Sequence, residues 1–136
     1  MQNVAEEIEE IRKRLKDELL VLGHHYQSVN VLKHADAIGD SLELARRAAA
    51  EKTARRIVFC GVHFMAESAD LLSGEDRKVF MPDTSANCPM AAMARPAEAE
   101  SAWRQLEGIR AGWLPVVYVN STAELKAFCG RHDGAG

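Results

Sequence analysis

Four short apolar runs recur along the chain: Leu19–Leu22, Arg56–Gly61, Lys78–Met81 and Pro115–Asn120. Each is nearly continuous in apolar residues rather than alternating. Stretches with helical spacing separate them. Strands buried on both faces read this way, and strands that alternate with helices form parallel sheets. The order is helix, then strand–helix four times. It predicts an α/β fold: a three-layer αβα domain with a four-stranded parallel sheet and, by default, right-handed crossovers. Neither GxGxxG nor GxxxxGK[ST] occurs, so a nucleotide cradle lacks its usual sequence support.

Apolar residues at Val4, Ile8, Ile11, Leu15 and Leu19 space a first helix with a charged face. A short helix is expected over Val31–Gly39. A clearer one follows, SLELARRAAAEK, capped by Asp40 or Ser41. His63–Leu72 reads as a helix ended by Ser73-Gly74. Cys88 directly precedes Pro89, and proline favours the first helical position. Cys88 therefore reads as the N-cap of a helix ending near Pro96, where helix N–H groups favour a thiolate. A buried, inert thiol is the alternative. A further helix spans Pro96–Arg110, with Gly112 as its stop. Ser121 caps the last helix, STAELKAFC, with Glu124 completing a capping box. Residues 1–136 read as one domain, with 130–136 a flexible polar tail.

The composition, 47% apolar and 27% charged, fits a soluble globular domain. A net charge of −3 without a basic run argues against nucleic-acid binding. No run approaches a membrane span, and the acidic MQNVAEEIEE start has no signal-peptide core. The cytoplasm is the expected location. Cys60, Cys88 and Cys129 are the three cysteines, far apart and with no CxxC pair. That excludes a zinc ribbon or ferredoxin-type motif and argues against a disulfide framework.

Reactive side chains fall just past the strand ends: His24 and Tyr26, then Cys60 and His63, then Asp83 and Cys88, then Tyr118 and Asn120. Ligands bind outside the carboxyl ends of parallel strands, so all four loops are expected to converge on one edge. Imidazole, phenol, thiol and amide suit acid–base chemistry, ligation and anchoring of acidic groups. Each also has a structural explanation. The histidines and tyrosines suit loop or rim packing, and Cys60 and Cys129 suit the core. His63 suits a local hydrogen bond, Asp40 and Ser41 suit caps, and Met65, Met90 and Met93 suit core packing.

Five segments carry a resemblance: GHHYQ (23–27), GDSLELAR (39–46), IVFCGVHFMAES (57–68), MPDTSANCPMA (81–91) and YVNSTAELKA (118–127). In this order they resemble quinolinate synthase, the iron–sulfur enzyme of bacterial NAD biosynthesis. The resemblance implies one of three pseudo-repeated αβα domains around a shared active site. It implies condensation of iminoaspartate, supplied by L-aspartate oxidase, with dihydroxyacetone phosphate. It implies a 4Fe–4S cluster with one cysteine from each domain, and here Cys88 matches the first-domain ligand. His24 and Tyr26 match the HxY pair at the substrate. Ser41, Tyr118 and Asn120 match substrate-binding positions. Cys60 is not carried over as a ligand.

His25 and Asn87 depart from the family pattern, where tyrosine or asparagine, and glycine, are usual. Only one of three cluster cysteines has a counterpart here, so the chain is expected to be a first-domain portion, inactive alone. Faces that meet other domains would then be uncovered, with Trp103, Trp113 and the methionines as candidates for self-association. A second reading is a non-enzymatic α/β module binding a small dicarboxylate or phosphate. A third is a cysteine nucleophile pairing Cys88 with His24 or His63.

Overall fold

A computed structural model describes residues 3–135. They divide into two compact units, Met1–Ala86 and Asn87–Gly136.

The first unit holds α1 (Val4–Leu15), β1 (Leu19–His24), α2 (Val29–Leu32), β2 (Ala37–Gly39), α3 (Ser41–Ala50), β3 (Arg56–Cys60), α4 (His63–Ser73) and β4 (Lys78–Phe80). A single 3-10 turn, Lys16–Glu18, joins α1 to β1. The strands form one parallel sheet in the order β2-β1-β3-β4, flanked by helices in an αβα arrangement. Phe59, Leu22, Leu44 and Ile57 are its largest fully buried side chains. β1 and the interior of β3 are thus covered as their sequence requires, whereas the edge strand β4 stays partly exposed.

Four parallel strands were expected and four are present, but one differs in identity. The predicted helix over Val31–Gly39 stops at Leu32, and Ala37–Gly39 becomes β2. Asp36 is the cause. Its carboxylate accepts the Val21 N–H at 2.7 Å, and its own N–H donates to the Val21 carbonyl at 2.7 Å. A short carboxylate that bonds backbone competes with helix and diverts the chain. Arg12 holds that carboxylate from α1 at 2.5 Å, which raises the guanidinium pKa further.

α3 ends at Ala50 because Glu51 turns extended and collects the next three backbone N–H groups on Oε1: Lys52 at 2.9 Å, Thr53 at 2.8 Å and Ala54 at 3.1 Å. Those bonds, the Thr53 and Ala54 ones first, hold its carboxyl below the usual range.

The second unit holds α5 (Pro96–Glu107) and α6 (Ala123–Arg131) around Trp103, Leu125, Phe128 and Cys129, with Trp113 and Val117 packed alongside. Four expectations are corrected here. No helix follows Pro89; residues 89–94 form turns. Arg95, preceding Pro96, is extended at φ −93° and ψ 139°, as a residue before proline prefers. A helix begun at Pro89 would have to stop before it, too short to recover its nucleation cost. The proline-led helix starts at Pro96 instead.

Pro115–Asn120 is not a sheet strand. Its bridge is Val116 to Ala135, with Val117 N–H on the Ala135 carbonyl at 2.9 Å. The residues have strand propensity but no neighbouring strand among the described residues to complete a ladder.

The last helix is capped by Thr122, whose Oγ1 accepts the Leu125 N–H at 3.3 Å, not by Ser121. That places Leu125, not Glu124, at the reciprocal position of a capping box. Ser121 is buried and its Oγ has no partner among the described residues. α6 also runs to Arg131, and Ala135 donates to the Pro115 carbonyl, so the stretch expected as a tail from Gly130 is largely structured.

Candidate active-site residues at the strand ends

The sheet order fixes where a ligand belongs in the first unit. After β1 the chain moves to β2 on one side, then returns to β3 on the other. The direction reverses between β1 and β3, and open α/β sheets bind ligands outside the carboxyl ends at such a switch point. β1 ends there with His24, and β3 with Cys60.

His24 is 5% exposed and sits opposite Gly39, the last residue of β2. Burial holds its imidazole below the ordinary histidine pKa. A charge on His25 adds to that shift, and Asp40 opposes it. The Tyr26 N–H points at His24 Nδ1 over a long 3.5 Å, which leaves the ring proton on Nε2. The Tyr26 ring lies 3.9 Å from that imidazole, centroid to centroid, and its hydroxyl is 4.0 Å from Met65 Sδ on α4. The HxY turn therefore spans from β1 across the switch to the helix after β3.

Gly61 keeps this crossing open. A Cβ there would stand 2.8 Å from the Phe59 ring and 3.1 Å from Met65 Sδ.

Ser41 is the first residue of α3, two past Gly39. Asp40 is the N-cap, accepting the Glu43 N–H at 2.8 Å. That bond, then the Leu42 N–H and the nearby histidines, draws the Asp40 pKa down. Cys60 is half-buried, and burial pushes its thiol pKa up, away from thiolate chemistry. His63 donates its backbone N–H to the Ala86 carbonyl at 2.9 Å and places Nδ1 3.6 Å from Glu67, the structural role its sequence position suggested. Asp83 folds the following loop by accepting both the N–H and the hydroxyl of Ser85.

The first unit thus brings His24, Tyr26 and Ser41 to one sheet edge. The fourth loop does not emerge from that sheet, because its strand does not exist there. Tyr118 and Asn120 lie in the second unit, Tyr118 at 66% exposed and Asn120 half-buried. Cys88 lies there too, half-buried in the turns before α5, with its carbonyl accepting the Ala92 N–H at 3.2 Å. It is not an N-cap. Met90 and Met93 are exposed rather than core, Met65 is buried, and Trp103 is buried rather than available for association. Cys129 is core, its thiol pKa raised by burial. A surface cavity of about 420 Å³ in the second unit, walled by Trp103, Arg110, Trp113 and Arg131, contains none of the expected site residues.

The sequence model of the family described as "Quinolinate synthetase A protein" matches residues 6–133. The chain belongs to the quinolinate synthase family.

A quinolinate synthase of Halalkalibacterium halodurans is 54% identical over 133 residues, 97% of this chain and 36% of the relative. One from Bacillus cereus strain Q1 is 48% identical over 135 residues, 98% of this chain and 37% of the relative. One from a Nocardioides species is 54% identical over 122 residues, 88% and 31% of the two chains. The chain spans about a third of the length of these curated quinolinate synthases and corresponds to an N-terminal portion of the family.

The thiol donors of the chain are its three cysteines. Cys88 is a half-buried thiol outside helix and strand, and burial pushes the thiol pKa of Cys60 and of Cys129 up. Among the described residues no group of three His, Cys, Asp or Glu side chains is arranged to hold a metal. Sequence reasoning missed the Met65 contact to Tyr26 and the Gly39 carbonyl beneath His25. Neither leaves a sequence signal, because both depend on which strands become neighbours.

Proposed function

We propose that this chain is the part of a quinolinate synthase that grips the substrate and contributes one cluster thiolate, in de novo NAD biosynthesis. The reaction joins iminoaspartate, made by L-aspartate oxidase, to dihydroxyacetone phosphate and releases quinolinate, phosphate and two waters. The observation that carries this reading is the meeting of His24 and Tyr26 at the switch point of the sheet, in a chain of this family.

His24, neutral near pH 7 and with its proton on Nε2, donates to a substrate oxygen and takes part in the proton transfers of the condensation. Tyr26 supplies a phenolic O–H beside it. Ser41 presents a hydroxyl at the start of α3, where the helix N-terminus favours an anionic carboxylate. Tyr118 and Asn120 bind the dicarboxylate. Cys88 would hold one iron of a 4Fe–4S cluster, whose other two protein thiolates would come from the remainder of a full-length synthase. When bound, that cluster supplies a Lewis-acidic iron with an open position for substrate. The chain works in the cytoplasm and is inactive by itself.

Anaerobic assay of the chain alone, with iron, sulfide and both substrates, tests this. The expected result is no quinolinate and no stable cluster spectrum. A stable 4Fe–4S spectrum from the isolated chain that disappears in Cys88→Ala would overturn the assigned incompleteness.

A further inference from the structure

We propose that His25 is a positioning residue, one that locks the His24–Tyr26 turn to the start of α3 through the Gly39 carbonyl. The proposal deepens the reading of His24, Tyr26 and Ser41 as substrate residues and rests on it.

Two donors of one residue converge on one oxygen. The His25 backbone N–H donates to the Gly39 carbonyl at 3.1 Å, extending the β1–β2 ladder by one bond. The same residue's Nδ1 lies 3.3 Å from that oxygen. A carbonyl only accepts, so Nδ1 carries the proton. His25 therefore holds the Nδ1–H tautomer, while its neighbour His24, with Tyr26 N–H directed at Nδ1, holds Nε2–H. Two adjacent imidazoles are fixed in opposite tautomers by two different backbone groups.

The clamp acts in both directions from Gly39. Towards β1, the His25 ring packs 4.3 Å from the His24 ring, tilted by 35°. Towards α3, Gly39 is followed directly by the N-cap Asp40 and then by Ser41. A shift of the His25 ring would move the His24 face and the Ser41 hydroxyl relative to each other. A Cβ at Gly39 would stand 2.5 Å from Glu43 Oε2, so the Glu43 side chain would have to move aside. An exposed histidine with no role would not be expected to spend both donors on one buried-strand carbonyl.

The test is nitrogen-15 imidazole NMR and amide hydrogen exchange on the 136-residue chain, above the histidine titration range. The expected spectrum shows Nδ1–H at His25 and Nε2–H at His24. His25→Phe keeps a ring without a donor; His25→Asn keeps an N–H donor near the Nδ1 position. In His25→Phe the His25-position amide is expected to exchange about tenfold faster, with the Asp40 and Ser41 amides and the His24 tautomer signals displaced. His25→Asn is expected to restore all three. A mainly Nε2–H His25, or a Phe variant indistinguishable from the parent, overturns the proposal. So does an Asn variant no better than Phe. None of these readouts needs substrate. Failure of the substrate reading would appear separately, as turnover retained by His24→Ala in a completed synthase.

Discussion

Gly23 and Cys60 face each other across the ladder that joins β1 to β3, one residue before β1 ends at His24. Behind Gly23 there is no room for a side chain: a Cβ would stand 2.7 Å from Leu32 Cδ2 and 3.1 Å from Ala35 Cβ. The exit of β1 is thus pressed against the α2 segment by a missing methyl group.

Gly23→Ala is therefore expected to destabilise the chain by about 1–3 kcal/mol, the usual cost of overpacking. Leu32 can swing aside, but Ala35 Cβ is fixed to backbone. Urea denaturation reads the loss. An unchanged midpoint would show that α2 yields freely.

His24 is expected to titrate below the ordinary histidine value of about 6.5. The folded state then binds fewer protons than the unfolded chain between those two values. The contribution is present above about pH 6.5 and is lost as pH falls through the folded pKa. Proton NMR titration of the His24 ring, with His24→Gln as the control for stability against pH, checks both direction and window. A His24 pKa at or above that of an unfolded peptide would contradict the burial described here.

Glu51 caps its own turn with three backbone N–H bonds, one of them to buried Ala54. Glu51→Ala is expected to cost about 1–3 kcal/mol, since unmet donors lose their partners without regaining full hydration. Because the carboxylate is the acceptor and its pKa is depressed, this stabilisation is present above the unfolded glutamate pKa and lost as pH falls through the folded one. The stability gap between parent and variant in denaturation should therefore narrow as the solution is acidified from neutral pH.

The first unit was largely readable from residue order, and the second was not. LLVL and IVFC became the central strands because buried parallel strands need little beyond continuous apolar character, and KVF joined them as a partly exposed edge. β2 escaped notice because three residues, Ala37–Gly39, carry no pattern; a tertiary bond from Asp36 to Val21 made the strand. Pro115–Asn120 had the propensity and lacked the neighbour. Cys88 before Pro89 carried a helix-start signal that Pro96 overrode. His24 and Tyr26 were nameable because they follow a strand end and match a family motif, and Ser41 because it lies in one. What held them in place, Met65 and the Gly39 carbonyl, was set by strand order alone.

Tyr118 is exposed, so Tyr118→Phe is expected to leave stability within about 0.5 kcal/mol of the parent. In a completed synthase the same change, combined with Asn120→Ala, is expected to raise the KM for iminoaspartate at least tenfold. Steady-state kinetics separate the two effects. Unchanged KM would remove both residues from the substrate site.

The most direct measurement joins this chain to the remainder of the Halalkalibacterium halodurans quinolinate synthase, in place of the portion it matches, and reconstitutes the chimera anaerobically. The chimera is predicted to form a 4Fe–4S spectrum and to make quinolinate from iminoaspartate and dihydroxyacetone phosphate, with both lost on Cys88→Ala. A Cys88→Ala chimera that keeps its cluster and its turnover would contradict the account.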